Sequence, residues 1–299
     1  MKIPRHIIPK PLMPVLRFSK RVIVQAWGKS IYRLNQFVPV RHLNLGGGLF
    51  VALGWKNLEG VPSYVNPNPF TFTPECDFPF DEGTLETVYS SHALEHMDSA
   101  TVGRALEESY RVLQSGGKLV IKLPDFDHTL QCWKEGEAGY FDDNWGHSQL
   151  LHTWKNKNVQ DNLNSRAAFV FCGFWNDVYG DHFEKMWSDN NPALDSDVAD
   201  KAYHGPPLAS LDVFREIREL SSPKEVSERL CNIVRETEPD YNFNHQNAWG
   251  RKELRELVAG YGFKVFSQDT EFILCECKGL PGIEEMLPVS MYLLAQKPE

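Results

Sequence analysis

Across 299 residues the chain is 42% hydrophobic and 24% charged, a globular rather than disordered composition with length for one large domain or two ordinary ones. Its net charge is −9, yet no acidic residue precedes Glu59 and residues 1–58 hold ten Lys and Arg, which leaves −19 for the rest. An acidic body argues against nucleic acid as the main partner, and no apolar run reaches the roughly 18 residues of a membrane span.

Residues 1–40 read as a basic N-terminal arm packed over the acidic body, with contact to an anionic lipid or polymer as the other reading. Prolines at 4, 9, 11 and 14 and charges at 17, 20 and 21 break any apolar segment, so no signal peptide is expected. The cysteines at 76, 132, 172, 231, 275 and 277 show no C-x-x-C pair, which points to reduced thiols and a cytoplasmic protein.

After the arm, Arg41–Leu45 (RHLNL) reads as a short strand running into Gly46-Gly47-Gly48. Lys56–Leu58 reads as a second strand, followed by a Pro-rich irregular stretch through Phe80. Leu85–Ser90 has the apolar character of a buried strand. From Ser99 to Leu113, Ala105, Leu106, Ser109, Val112 and Leu113 recur at helical spacing, with Ser115-Gly116-Gly117 as the expected C-cap. Lys118–Leu123 is then a strand stopped by Pro124. Near the C-terminus, Arg251–Tyr261 reads as an amphipathic helix capped by Gly262, with strands at Phe263–Ser267 and Ser290–Ala295. This alternation predicts an α/β fold with a mostly parallel sheet. Residues 125–245 lack the α/β repeat and are crowded with aromatics such as Trp133, Tyr140, Trp154, Phe171 and Trp187, so they read as an inserted, helical cap.

The stretch SSHALEHM, Ser90 to Met97, has two readings. Its His92-Ala-Leu-Glu95-His96 has the H-x-x-E-H spacing of an inverted zinc-peptidase motif. It also stands where a strand turns into a helix, the ligand-binding edge of an open α/β sheet. The context favours the second reading: His96 is then a buried structural hydrogen bonder, Ser91 and His92 face a ligand, and no metal is expected. Three glycines after a strand let a ligand approach backbone closely. Glu59, at the end of the second strand, stands where a carboxylate can accept two ribose hydroxyls, and Asp77-Phe78-Pro79-Phe80 offers a carboxylate and an aromatic face for a purine.

The segments LNLGGG (43–48), GWKNLE (54–59), DFPFDEGTLETVYSSHALEH (77–96) and RVLQSGGKLVIKLPD (111–125) together resemble a class I S-adenosylmethionine-dependent methyltransferase. The resemblance implies a Rossmann-like methyltransferase sheet, mostly parallel with a C-terminal antiparallel strand, formed by 41–124 and 246–299 around the cap. It implies binding of S-adenosylmethionine and its product S-adenosylhomocysteine by Asn44, Leu45, Gly46, Gly47, Gly48, Glu59, Asp77, Phe78, Ser91 and His92. Asn44 departs from the family, which often carries an acid there, and the chain between Gly48 and Glu59 is too short for the usual helix.

Methyl transfer needs a base only when the acceptor loses a proton. The candidates are Asp125 after the last central strand, Tyr203 and His204 in AYHGPP, and His245 in NFNHQNAW. The cap aromatics admit three uses: core packing, stacking on a sugar, or caging a cation. A small-molecule acceptor at O, N or S is the favoured expectation, with a homo-oligomer left open. The alternatives are an inactive cofactor-binding regulatory protein and an enzyme acting on a polysaccharide or lipid-linked sugar.

Overall fold

In chain order, a helix over 26–34 (α1) leads to four strands interrupted by a single long helix, as a computed structural model describes for residues 26–48, 50–60, 66, 68–144, 159–173, 209–237 and 245–299. The strands are β1 (His42–Leu45), β2 (Trp55–Leu58), β3 (Leu85–Ser91) and β4 (Leu113–Pro124), with α2 (Ser99–Val112) between the last two. Helices α3 (Phe126–Glu135), α4 (Ala138–Asn144), α5 (Val159–Cys172), α6 (Leu211–Arg218) and α7 (Pro223–Thr237) follow. Then α8 (Arg251–Gly260), β5 (Lys264–Ser267), α9 (Thr270–Glu276) and β6 (Ser290–Gln296) return to the sheet.

The six strands lie in the order β2-β1-β3-β4-β6-β5, with β1 to β4 parallel and β6 antiparallel to both of its neighbours. This is the expected Rossmann-like sheet. The chain steps from β1 to β2 on one side and then crosses to β3 on the other. The switch point therefore lies between the C-terminal ends of β1 and β3, where open α/β sheets bind ligands.

Alternation along each strand divides the side chains between two faces. Leu43, Leu45, Leu58, Val88, Leu119, Ile121 and Leu293 pack with Val102 and Leu106 of α2 and Leu254 and Val258 of α8. On the other face, Tyr89, Val120, Tyr292 and Leu294 meet Ile273 of α9. Helices α3 to α7 enclose a separate core in which Phe126, Trp133, Phe141, Phe171, Phe214 and Leu230 are buried. The described aromatics of 125–245 thus serve packing: Trp133 is fully buried, and its indole N–H donates to Asn164 Oδ1 at 2.8 Å.

Two local expectations change. Ser115-Gly116-Gly117 is not a helix cap: α2 passes straight into β4 at Leu113, and the glycines fall where the β3–β4 register shifts. Strand pairing with Leu85 at Leu113 wins over the glycine stop signal, and the register becomes regular from Thr87 opposite Lys118. Helix α9 was not anticipated. Asp269 caps it by accepting from the Phe272 amide at 2.7 Å.

Lys122 is a lysine in the sheet core, 1% exposed, and its ammonium donates to the Gly282 carbonyl at 2.9 Å and to that of Glu285. Burial lowers its pKa from 10.5 to about 8, against a smaller upward pull from Glu285. The folded state therefore binds fewer protons than the unfolded chain between those values, so stability rises with pH across that window and the full cost is felt below it. Relative to Lys122→Met, the wild type should gain up to about 3 kcal/mol between pH 8 and 10.5, read from urea unfolding at each pH. Its neighbours Tyr89 and Tyr292 are both pushed upward by burial and stay neutral there. A constant difference between the two proteins would contradict this account.

Candidate functional site

The turn after β1 is a fitted surface. Gly46 (φ +65°) and Gly48 (φ +55°) adopt the left-handed conformation that side chains disfavour. A Cβ on Gly46 would stand 2.3 Å from the Ala93 Cβ, and one on Gly47 would stand 2.6 Å from both Asn44 Nδ2 and Asn57 Oδ1. The turn is tied to the end of β2: the Gly46 amide donates to Leu58 O at 2.8 Å, and the Gly48 amide donates to Glu59 Oε2 at 2.7 Å. Leu45 is buried just before it. Beside it, Asn44 Oδ1 and Ser90 Oγ are buried without hydrogen-bond partners in the protein. Unpaired buried polar atoms at the switch point are what a polar ligand would complete.

The next segment is clamped from α2. Asp77 is exposed and ion-paired with Arg104, whose Nε donates to Cys76 O at 2.9 Å. The Phe78 amide donates to Glu108 Oε2 at 2.7 Å, and Arg111 donates to the carbonyls of Phe78 and Phe80. Burial raises the Glu108 carboxyl, but Arg111 and the Phe78 amide outweigh it and hold the pKa below its ordinary value. The Phe78 ring lies in the core, 2% exposed and edge-on to Phe70 at 5.9 Å, rather than presenting an open face. Half-buried Phe50 and Phe80 instead line a cavity of about 390 Å³ with Tyr32, Trp55, Asn57 and Asn66. Phe80 belongs to the same tetrapeptide as Phe78.

SSHALEHM does not lie within an α-helix. Strand β3 ends at Ser91, His92 turns the chain with φ +50°, and Leu94–His96 form a single 3-10 turn before α2. Ser91 and His92 are half-buried at this edge. The Ser290 hydroxyl donates to Met286 O at 2.8 Å, so His92 Nε2–H donates to Ser290 Oγ at 2.9 Å. His92 Nδ1 stands 3.4 Å from Glu95 Oε1. His96, expected to be buried, is exposed, because the short turn points it away from the sheet core.

His245 arrives at the same turn from the far end of α7. Its amide donates to Cys172 O at 2.7 Å, and its Nδ1 donates to Phe171 O at 3.2 Å. The next two amides, Gln246 and Asn247, both donate to the Glu95 carbonyl, at 2.6 and 3.1 Å, and the Asn247 side chain donates to Met97 O at 2.6 Å. Burial, with His96 adjacent, pushes the His245 pKa down to about 3, so the ring is neutral near pH 7. Asp125 is committed elsewhere: Oδ1 accepts from the His128 amide at 3.1 Å as the α3 cap, and Oδ2 pairs with Arg251 at 2.5 Å. Tyr203 and His204 lie outside the described residues. Glu95 and Ser290, which link His92 to its surroundings, were not foreseen as ligand-site residues.

Residues 64–121, well under half of the chain, match the family model described as Methyltransferase domain. No curated protein matches. Among solved structures, a possible histamine N-methyltransferase from Thermotoga maritima is similar at 11% identity, covering 95% of this chain and 96% of its own, with a TM-score of 0.34. An S-adenosylmethionine-dependent methyltransferase from Mesorhizobium loti shares 11% identity over 89% and 95%, with a TM-score of 0.37. The 1,6-didemethyltoxoflavin-N1-methyltransferase of Burkholderia thailandensis, solved with S-adenosylhomocysteine, shares 11% over 100% and 94%, with a TM-score of 0.36. Likenesses at that level carry no argument, and the fold rests on the strand order already given.

Proposed function

We propose that the chain is a class I methyltransferase that uses S-adenosylmethionine and moves its methyl group to a heteroatom of a small-molecule acceptor. The observation that carries this is the fitted glycine turn at the switch point, with Glu59 at the end of β2 and unpaired Asn44 Oδ1 and Ser90 Oγ beside it. The family match over 64–121 supports it. The cofactor supplies a methyl group on a positively charged sulfur, open to in-line displacement.

The chain's own work is to bind and orient. Gly46–Gly48 would receive the amino-acid end by backbone, with Asn44 and Ser91 near it, and Glu59 would accept from the ribose. The cavity lined by Phe50 and Phe80 would receive the base, and Asp77 would offer it a carboxylate. His92, fixed by Ser290, and His245 would face the acceptor. A ring with a pKa of about 3 is a weak base at neutral pH, so His245 suits orienting an acceptor better than deprotonating it. An acceptor that loses a proton would then draw on another group, and a thioether would need none.

Calorimetry with S-adenosylhomocysteine tests the cofactor assignment. Charge-assisted hydrogen bonds contribute about 1.5–3 kcal/mol each, so Glu59→Ala should weaken binding about tenfold or more. Unchanged affinity would remove Glu59 from the ribose. Binding with no label transfer to any cellular metabolite pool would favour the inactive, regulatory reading that Asn44 suggests.

A further inference from the structure

We infer that Glu95, His96 and His245 form a binding site for a divalent cation of the zinc class. The sequence offered His92 and His96 as the metal pair, four apart on one helix face. The structure dissolves that pair, since His92 is turned to Ser290, and brings His245 to the carboxylate in its place. One donor atom from each of Glu95, His96 and His245 lies within 4.8 Å of the others, the one such group of three among the described residues. Zinc bonds of about 2.0–2.1 Å in tetrahedral geometry put ligand atoms about 3.3 Å apart, so the donors need to close by about 1.5 Å at most. His96 is exposed, so rotation of its side chain can make most of that movement.

The other two donors are already held. Glu95 is 1% exposed; His92 stands beside its Oε1, while Oε2 is buried with no hydrogen-bond partner. An ionised oxygen in that position is costly unless something positive completes it. The Glu95 backbone is pinned by the amides of Gln246 and Asn247. His245 gives its Nδ1 proton to the Phe171 carbonyl, which leaves the lone pair on Nε2. This is the outer-shell arrangement that orients metal-binding imidazoles. Two imidazoles and one carboxylate are a donor set that suits zinc and its neighbours better than magnesium or calcium, and three protein ligands leave a position for an oxygen from outside. The site stands whether or not the methyl-transfer reading does.

The test uses the full chain, stripped with chelator and titrated with zinc ion by calorimetry in the absence of cofactor. The wild type should take up one equivalent with micromolar or tighter affinity. His96→Ala, at an exposed position where folding is expected to survive, should weaken this at least tenfold, and Glu95→Gln should do the same. Thermal unfolding of each metal-free variant checks the fold, and if Glu95→Gln fails to fold, His96→Ala decides alone. No zinc uptake by the wild type, or uptake unaltered by His96→Ala, overturns the site.

Discussion

Gly46→Ala should lower the unfolding free energy by about 2–5 kcal/mol and remove measurable cofactor binding. The left-handed conformation at φ +65° costs a side chain about 1–2 kcal/mol. A Cβ 2.3 Å from that of Ala93 adds the strain of an overfilled site, about 1–3 kcal/mol. Gly83 provides the control, with φ +69° and nothing within 4 Å of its added Cβ. Gly83→Ala should cost the conformational part alone. Urea unfolding of both variants separates the two effects, and equal losses would show that the contact between the β1 turn and Ala93 carries no weight.

Asp125→Ala should cost about 2–4 kcal/mol of stability. It removes the α3 cap, worth about 1 kcal/mol, and leaves Arg251 without its buried partner at 2.5 Å. Asp125→Asn keeps a capping oxygen and should lose less than half as much. A catalytic base would behave differently: both substitutions would abolish turnover of a proton-bearing acceptor while the asparagine variant stayed nearly as stable as wild type. Denaturation midpoints beside turnover numbers decide between these outcomes.

The sheet was legible because its signals are local. Each strand's apolar run and each flanking glycine or proline act within a few residues, and the predicted spans of β1, β3, β5 and β6 differ from those observed by one residue at an end. The glycines at 116 and 117 misled because the same residues serve a helix stop and an irregular strand start. The candidate site was legible only in part. Gly46–Gly48 and Glu59 reveal themselves by position after strands, and they do meet in space. The environment of Glu95 does not reveal itself, because it is made by His245 and Ser290, which approach through tertiary folding. Phe78 and Phe80 illustrate the same limit: two residues apart they would share a face of an extended segment, and only tertiary packing puts one in the core and leaves the other half-buried at the cavity.

Both roots of the 125–245 insertion are fastened to the sheet. At its start, the Asp125 amide donates to Val289 O at 2.8 Å and its carboxylate holds Arg251. At its end, the Gln246 and Asn247 amides share the Glu95 carbonyl. A lid that swings as one piece needs a hinge where it leaves the body, and here each point of departure is pinned by hydrogen bonds within a few residues. Rotation of the whole insertion about its roots would break these hydrogen bonds. The same fastening makes the Glu95 turn a shared part: a displacement of residues 246 and 247 pulls on the turn that follows β3.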